Sequence, residues 1–342
     1  MAWKRKVAIA IISGVLIGLN FLTFLSAFPR MSGYDVGGKG RDFSAYYIAA
    51  WRFLNDPSRI YQGGAIAGQY PIYLYPATFK YPPFFILLII PFLLTSYQSA
   101  IVAFNIVQFM MLPAIAILIY KTMTWRNRSV LAMVPVLVLS LLAPFAAPQT
   151  LFLQYRVKFV EAFFATGSIA SLQDGFSNAY YWQWVEGNSR VLELLLFFLS
   201  LFLATRKSAF SGVAFGLSTF DPRLALIALP ITLAFNKASK NLPRFLDGLI
   251  ITLSINIPLA LYSDIGRQFV TEALRSGPFI FYAYEWIPFY AIIAFTLVNM
   301  DAVFPQLEGV RKRATTLLFR TQQIVMLRWR SGEDRPEESM TP

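Results

Sequence analysis

Asp42 is a carboxylate in a setting where it can take a proton from a hydroxyl. It follows the apolar run 7–28 and lies between Arg41 and the aromatic residues Phe43, Tyr46, Tyr47 and Trp51. Aromatic side chains of this kind gather at the boundary of water and lipid, where an acid stays ionised and still reaches a lipid headgroup. A carboxylate so placed suits general-base work on an oxygen that is forming a new bond. The plainer role is structural. Residues 43, 46, 47, 50, 51, 53 and 54 recur at helical spacing, which puts Asp42 beside the start of an interfacial helix, where a negative charge or an N-cap is favoured.

The other acids offer less. Glu308, Glu333, Asp334, Glu337 and Glu338 belong to the C-terminal end, and Asp56, Glu161, Asp264, Glu272 and Glu285 sit in loops with basic or aromatic neighbours. Glu193 falls inside an apolar run, where a charge needs a partner, and Arg190 is close enough to supply one. Asp221-Pro222-Arg223 interrupts two apolar half-runs and reads as a turn. The chain has no Cys and no His, so imidazole triads, thiolate nucleophiles and Cys/His metal sites are excluded. It carries no Walker lysine motif, no GxGxxG, no GxSxG and no HExxH, so a sugar nucleotide is not expected as a direct donor. Neither a metal nor a cofactor is expected.

Of the 342 residues, 56% are hydrophobic and 16% aromatic, and the mean hydropathy is +0.53. Several apolar runs approach the ~20 residues that a helix needs to cross a bilayer. The fold class this implies is an all-α polytopic membrane protein. The formal charge of +12 is spread over span ends and loops rather than one stripe, which fits topology and anionic membrane lipids and gives no nucleic-acid footprint.

Trp3, Lys4, Arg5 and Lys6 precede the first span, which has no cleavage pattern and so reads as uncleaved, with the N-terminus in the cytoplasm. The segment 29–80 then forms a structured outer loop, rich in Tyr and Gly. Tyr81-Pro82-Pro83 opens a run to 94, and further runs cover 100–120, 130–147, 191–204, 209–220, 224–235, 245–261 and 286–300. The group 180–184 (Tyr180, Tyr181, Trp182, Gln183, Trp184) reads as an interfacial belt. Arg206-Lys207, the cluster Lys237, Lys240 and Arg244, and Arg311, Lys312 and Arg313 fall on one side, placing the C-terminus in the cytoplasm as well. Nine runs are an odd number, and termini on one side need an even one. Either one segment between 82 and 120 fails to cross, giving eight, or a crossing lies within 149–172, giving ten; about 8 to 10 transmembrane helices follow. The expected domains are a transmembrane domain, 1–306, an amphipathic helix on the cytoplasmic face, 307–330, and a disordered tail, 331–342.

Several features recur in a telling order. After the first span come Asp42-Phe43-Ser44-Ala45-Tyr46-Tyr47-Ile48-Ala49-Ala50-Trp51, then Ile60-Tyr61, then Phe79-Lys80-Tyr81-Pro82-Pro83, with Pro91-Phe92 beyond. This order resembles glycosyltransferase family 87, the membrane mannosyltransferases of the GT-C fold that use polyprenyl-phosphate mannose. The similarity runs from Met1 to Asn236. It implies a GT-C-like bundle whose first outer loop carries the base, and it carries that role onto Asp42. The family's Gly-Gln-x-Asn group reads here Gly187-Asn188-Ser189-Arg190, and its later Lys-Pro pair reads Asp221-Pro222-Arg223, so its Gln, Asn and Lys are replaced.

The resemblance implies a hexose, mannose in the family, moved from a polyprenyl-phosphate donor to a lipid or glycan acceptor. A phosphodiester already activates the anomeric carbon, so the protein need supply a base, cations for the leaving phosphate and a groove for the lipid. Arg41, Lys80, Arg190, Arg223, Arg267 and Arg275 are the cations available, and Tyr81 and Asn188 join them as substrate-binding candidates. Two other classes share the apolar spans: a transporter or flippase of lipid-linked sugars, and a catalytically silent subunit that keeps the fold. The first calls for charges in mid-span, for which Glu193 is the candidate; the replaced motif residues point toward the second.

Overall fold

Nothing in the apolar run after Lys6 stops a helix, and the computed structural model carries it through to Ser32 as one element, α1 (Ala2–Ser32). The structure describes residues 2–32, 41–61, 79, 81–124, 130–142, 184, 187–220, 222–261 and 263–269, all within the first of the chain's two units, Met1–Thr296. The run 286–300 and the expected segments 307–330 and 331–342 lie outside them.

Among the described residues every regular element is a helix. After α1 come α2 (Arg41–Asn55), α3 (Pro83–Ile89), α4 (Tyr97–Thr124), α5 (Val130–Leu142), α6 (Arg190–Thr205), α7 (Phe210–Ser218), α8 (Pro222–Ala238), α9 (Leu242–Leu261) and α10 (Ser263–Gln268). Short 3₁₀ turns follow α2 (Pro57–Arg59) and α3 (Ile90–Leu94). Two helices, α1 over Lys6–Leu25 and α4, are long and apolar enough to cross a membrane, with 22% and 39% of their most apolar windows buried. Their outward residues, among them Ile11, Val15, Leu22 and Met110, are more than half exposed. A lipid-facing surface accounts for this; the core helix of a water-soluble domain would bury such side chains.

The run opened by Tyr81-Pro82-Pro83 behaves differently. Pro91, near the start of the second turn, accompanies a change from α to 3₁₀ geometry. The two pieces together span about 20 Å, short of the ~30 Å hydrocarbon thickness.

Helices α1, α4 and α5 pack together, α4 also packs on α6, and α6 packs on α7 and α8 while α7 packs on α9. In an apolar surrounding, helices associate through close backbone approach and buried hydrogen bonds. Both occur here. A Cβ on Gly212 would overlap the Phe245 carbonyl, one on Gly248 would overlap the Ala209 carbonyl, and one on Gly216 would stand 2.7 Å from Thr252 Cβ. Ser200 Oγ donates to the Ser211 carbonyl at 2.8 Å, and Ser211 Oγ shares its one proton between the Ser200 carbonyl at 2.9 Å and Asn236 Oδ1 at 3.2 Å, tying α6, α7 and α8.

The turns after α6 and α8 each contain a lysine at positive φ, Lys207 at 53° and Lys240 at 57°. Arg244 donates to the Lys207 carbonyl. The two basic groups assigned to one side, 206–207 and 237–244, therefore do meet at one end of the helices.

Gly212→Ala should lower stability by ~1–3 kcal/mol, the usual cost of forcing atoms into a filled interface. Gly18→Ala, with nothing within 4 Å of the new Cβ, is the control and should melt at or slightly above the parent. Thermal unfolding in detergent separates the two; a Gly212→Ala protein that melts with the parent contradicts the close crossing of α7 and α9.

Candidate functional site

Helix α2 begins where the sequence places it, and Asp42 lies in its first turn. The surroundings differ from those of a helix lying at an interface. Residues 43–50 are buried on every face, including Ser44, Ala45, Ala49 and Ala50. Small side chains on the second face let neighbouring elements close over it, so the aromatic face is only half of the contact.

That aromatic half is the core of the site. The Phe43 ring lies 5.0 Å from Phe104 of α4 and 5.7 Å from Tyr97, and the Tyr46 ring meets Tyr81 and Phe85 edge-on at 5.1 and 5.0 Å. Such pairs add about 0.5–1.5 kcal/mol each beyond burial, so the cluster is stiff. Tyr47 Oη donates to the Thr95 carbonyl at 2.8 Å, fixing the end of the 3₁₀ turn to α2. At the other end of α2, the buried Arg52 donates to the Arg59 carbonyl at 3.0 Å. Gln268 of α10 holds the same turn from outside, accepting from Tyr61 N at 3.4 Å and donating to the Pro57 carbonyl at 3.3 Å.

The segment 187–190 reaches this helix from far along the chain. Gly187 has φ +68°, and a Cβ there would stand 2.6 Å from Phe43 Cβ. Only glycine suits both the left-handed backbone and the contact. Asn188 Nδ2 donates to Asp42 Oδ2 at 2.8 Å, and Asn188 Oδ1 accepts from Arg190 N at 3.2 Å. The second bond is a local side-chain turn that opens α6, and it settles which way the amide points. Ser189 Oγ donates to Glu193 Oε1 at 3.2 Å and lies 3.4 Å from Tyr46 Oη, which lies 3.1 Å from Tyr81 Oη.

Of the residues singled out from the sequence, Asp42, Asn188, Tyr81 and Arg190 thus share one place. Arg41 opens α2 and Arg223 lies in the first turn of α8, but their side chains fall outside the described residues, as do that of Arg267 and all of Lys80 and Arg275. The neighbours of two of them point to the same nest. Phe79, which precedes Lys80, is buried against Phe85, and Phe220, three residues before Arg223, stacks on Phe85 at 4.6 Å and lies 6.1 Å from Tyr81. Glu193 is buried with Ser189 as a partner. Trp184 departs from its reading as part of an interfacial belt: it is fully buried, its ring stands edge-on to Phe24 at 5.5 Å, and its carbonyl accepts from Asn105 Nδ2 at 2.6 Å. Residues 180–183 lie outside the described set. Sequence reasoning missed the Tyr46–Ser189–Glu193 line, for which the only signal was an acid four residues after a serine at a helix start. Among the described residues no group of acids is placed to hold a metal ion.

The chemistry available is that of an oriented carboxylate. A hydrogen bond from the Asn188 amide to one oxygen orients the Asp42 side chain without neutralising it, and a hydrogen bond to a charged group is worth about 1.5–3 kcal/mol. No family model matches the chain, and no curated protein or solved structure matches it.

Burial, first of all, raises the Tyr46 hydroxyl well above the ordinary 10.0, with Tyr81 and the Asp42 charge adding to it; burial alone raises Tyr61. The unfolded chain releases these protons first, so their contribution to stability is whole below pH 10.0 and falls as pH climbs toward the folded values. Tyr46→Phe should therefore flatten the alkaline loss of stability, read by unfolding at stepped pH. The idea fails if the two proteins lose stability in parallel above that pH.

Proposed function

We propose that this chain is a membrane glycosyltransferase of the GT-C kind, resembling glycosyltransferase family 87. It moves a hexose, mannose by that resemblance, from a polyprenyl-phosphate donor to a lipid or glycan acceptor at the outer face of the cell membrane. The chain crosses the membrane with about 8 to 10 helices and keeps both termini in the cytoplasm. The observation that carries the reading is the Asp42 carboxylate, held at the start of α2 by the Asn188 amide at 2.8 Å.

Asp42 takes the proton of the acceptor hydroxyl as that oxygen bonds to the anomeric carbon. The bond from that carbon to the phosphate oxygen breaks at the same time, and the phosphate leaves with the electron pair. One displacement of this kind inverts the anomeric centre. Asn188 occupies Oδ2 and fixes the rotamer, which sets the direction of attack. Arg190, two residues on, and Arg41, Lys80 and Arg223, which flank the same aromatic nest in sequence, are the cations for the leaving phosphate. Tyr81 meets the sugar or acceptor.

Asp42→Asn preserves size and first-turn position. A base should lose roughly 10²-fold or more in turnover, with donor binding kept; a helix-start acid alone should lose about 1 kcal/mol of stability and little turnover. Purified protein, polyprenyl-phosphate mannose and candidate acceptors, read by mass spectrometry, decide this. Transfer within a few-fold of the parent removes Asp42 as base, and a parent inactive with every polyprenyl-phosphate sugar favours the silent-subunit reading.

A further inference from the structure

Six cations gather at the end of α6 that points away from Asp42. The helix runs about 24 Å from Arg190, beside the site, to Thr205, and Arg206 and Lys207 follow it. Lys121 lies in the last turn of α4, Lys237 in the last turn of α8, Lys240 in the turn beyond it and Arg244 in the first turn of α9. All six are exposed. Contacts that leave their charge intact hold them together. The Lys121 ammonium and the Arg206 guanidinium stand 5.7 and 5.5 Å from the centroid of one ring, Phe202, so the ends of α4 and α6 meet there. Arg244 donates to the Lys207 carbonyl and Asn241 Nδ2 to the Ser208 carbonyl at 3.2 Å, which fastens the turn after α8 to the turn after α6. Against these cations stands Asp247, exposed one turn along α9 from Arg244. Among the described residues none of the six takes part in an ion pair.

A surface of this charge attracts any phosphate, and the side chains next to it decide which kind fits. Ile251 is 53% exposed and follows Arg244 by seven residues, which puts it on the same face of α9 two turns further on. Leu246 and Ile250 form a second exposed apolar row on that helix, and Phe210, at the start of α7, is exposed as well. A water-borne anion would meet the cations and leave these side chains wet. A phospholipid covers both, its phosphate on the cations and its acyl chains along α9. We propose that this end of the helices binds the headgroup of an anionic phospholipid. The lipid offsets the repulsion among cations contributed by α4, α8, α9 and the turn after α6, and so holds those ends together. The inference goes beyond the transferase reading and does not depend on it; it needs these helices to lie in a bilayer, and no residue of the Asp42 site takes part.

The test uses the full chain in neutral detergent, melted with added phosphatidylglycerol, with phosphatidylcholine, and with glycerol 3-phosphate, which has the phosphate without the chains. Phosphatidylglycerol should raise Tm and the other two should not. Its affinity, read by native mass spectrometry, should fall roughly 10-fold or more in the double variant Lys121→Gln/Arg206→Gln, the scale of two basic charges at an anionic surface, and stay within about twofold in Arg59→Gln, an exposed cation beyond α2. Equal rises in Tm with phosphatidylcholine and phosphatidylglycerol overturn the proposal, as does an unchanged affinity in the folded double variant. A rise with glycerol 3-phosphate equal to that with the lipid makes this a plain anion site and overturns it too. Should the double variant fail to fold, Lys237→Gln/Lys240→Asn takes its place with the same outcomes, since Asn suits the left-handed backbone at 240.

Discussion

Asp42 and Asn188 are 146 positions apart in the chain and meet at 2.8 Å because one residue between the helices has no side chain. Gly187 takes a left-handed backbone and passes against Phe43, where any Cβ would collide. Everything else in the site follows from that approach. It brings Asn188 to the carboxylate and Ser189 to Tyr46, and it starts α6 at Arg190. A larger residue at 187 would push the turn off α2 and break both polar lines at once.

The rest of the molecule holds the two sides of this contact still. On one side, α2 is gripped by rings from α3 and α4 and braced at its far end by Arg52 and Gln268. On the other, α6 is fixed to α7 and α8 by the Ser200–Ser211–Asn236 hydrogen bonds, and α7 to α9 by glycines that admit backbone against backbone. In an apolar surrounding these two devices replace the hydrophobic drive that would hold a water-soluble core. The long exposed apolar faces of α1 and α4 are the counterpart of that arrangement.

Much of this was legible in the sequence, and what was not has physical causes. The start of α2 and the first turn position of Asp42 follow from helical spacing and a negative charge at its head. The described helices of the back half, from 190 to 261, follow from their apolar runs, and the basic groups at 206–207 and 237–244 lie at one end of them. The burial of α2 on both faces did not show, because Ser44, Ala45, Ala49 and Ala50 look neutral until something closes over them. Trp184 read as a boundary residue because composition cannot tell a belt from a core aromatic. The four-residue spacing of Gly212 and Gly216 was in plain view, yet it specifies a contact only once a partner helix with its own glycine, Gly248, is known. The pairing of Asp42 with Asn188 had no local signal at all, since neither residue constrains the other until the chain has folded.

The central claim is that the turn at 187–190 docks on the head of α2 and places Asn188 against Asp42. The chain has no Cys, so Asp42→Cys and Asn188→Cys can be introduced together and bridged with a short bifunctional methanethiosulfonate reagent. A protease site inserted within 125–129 separates the two positions, and each single-Cys variant is the control. The account predicts that the cleaved fragments of the double variant stay joined until reductant is added, at a yield near that of accessible paired thiols. Fragments that separate without reductant, in protein that folds like the parent and labels at both cysteines, would contradict it.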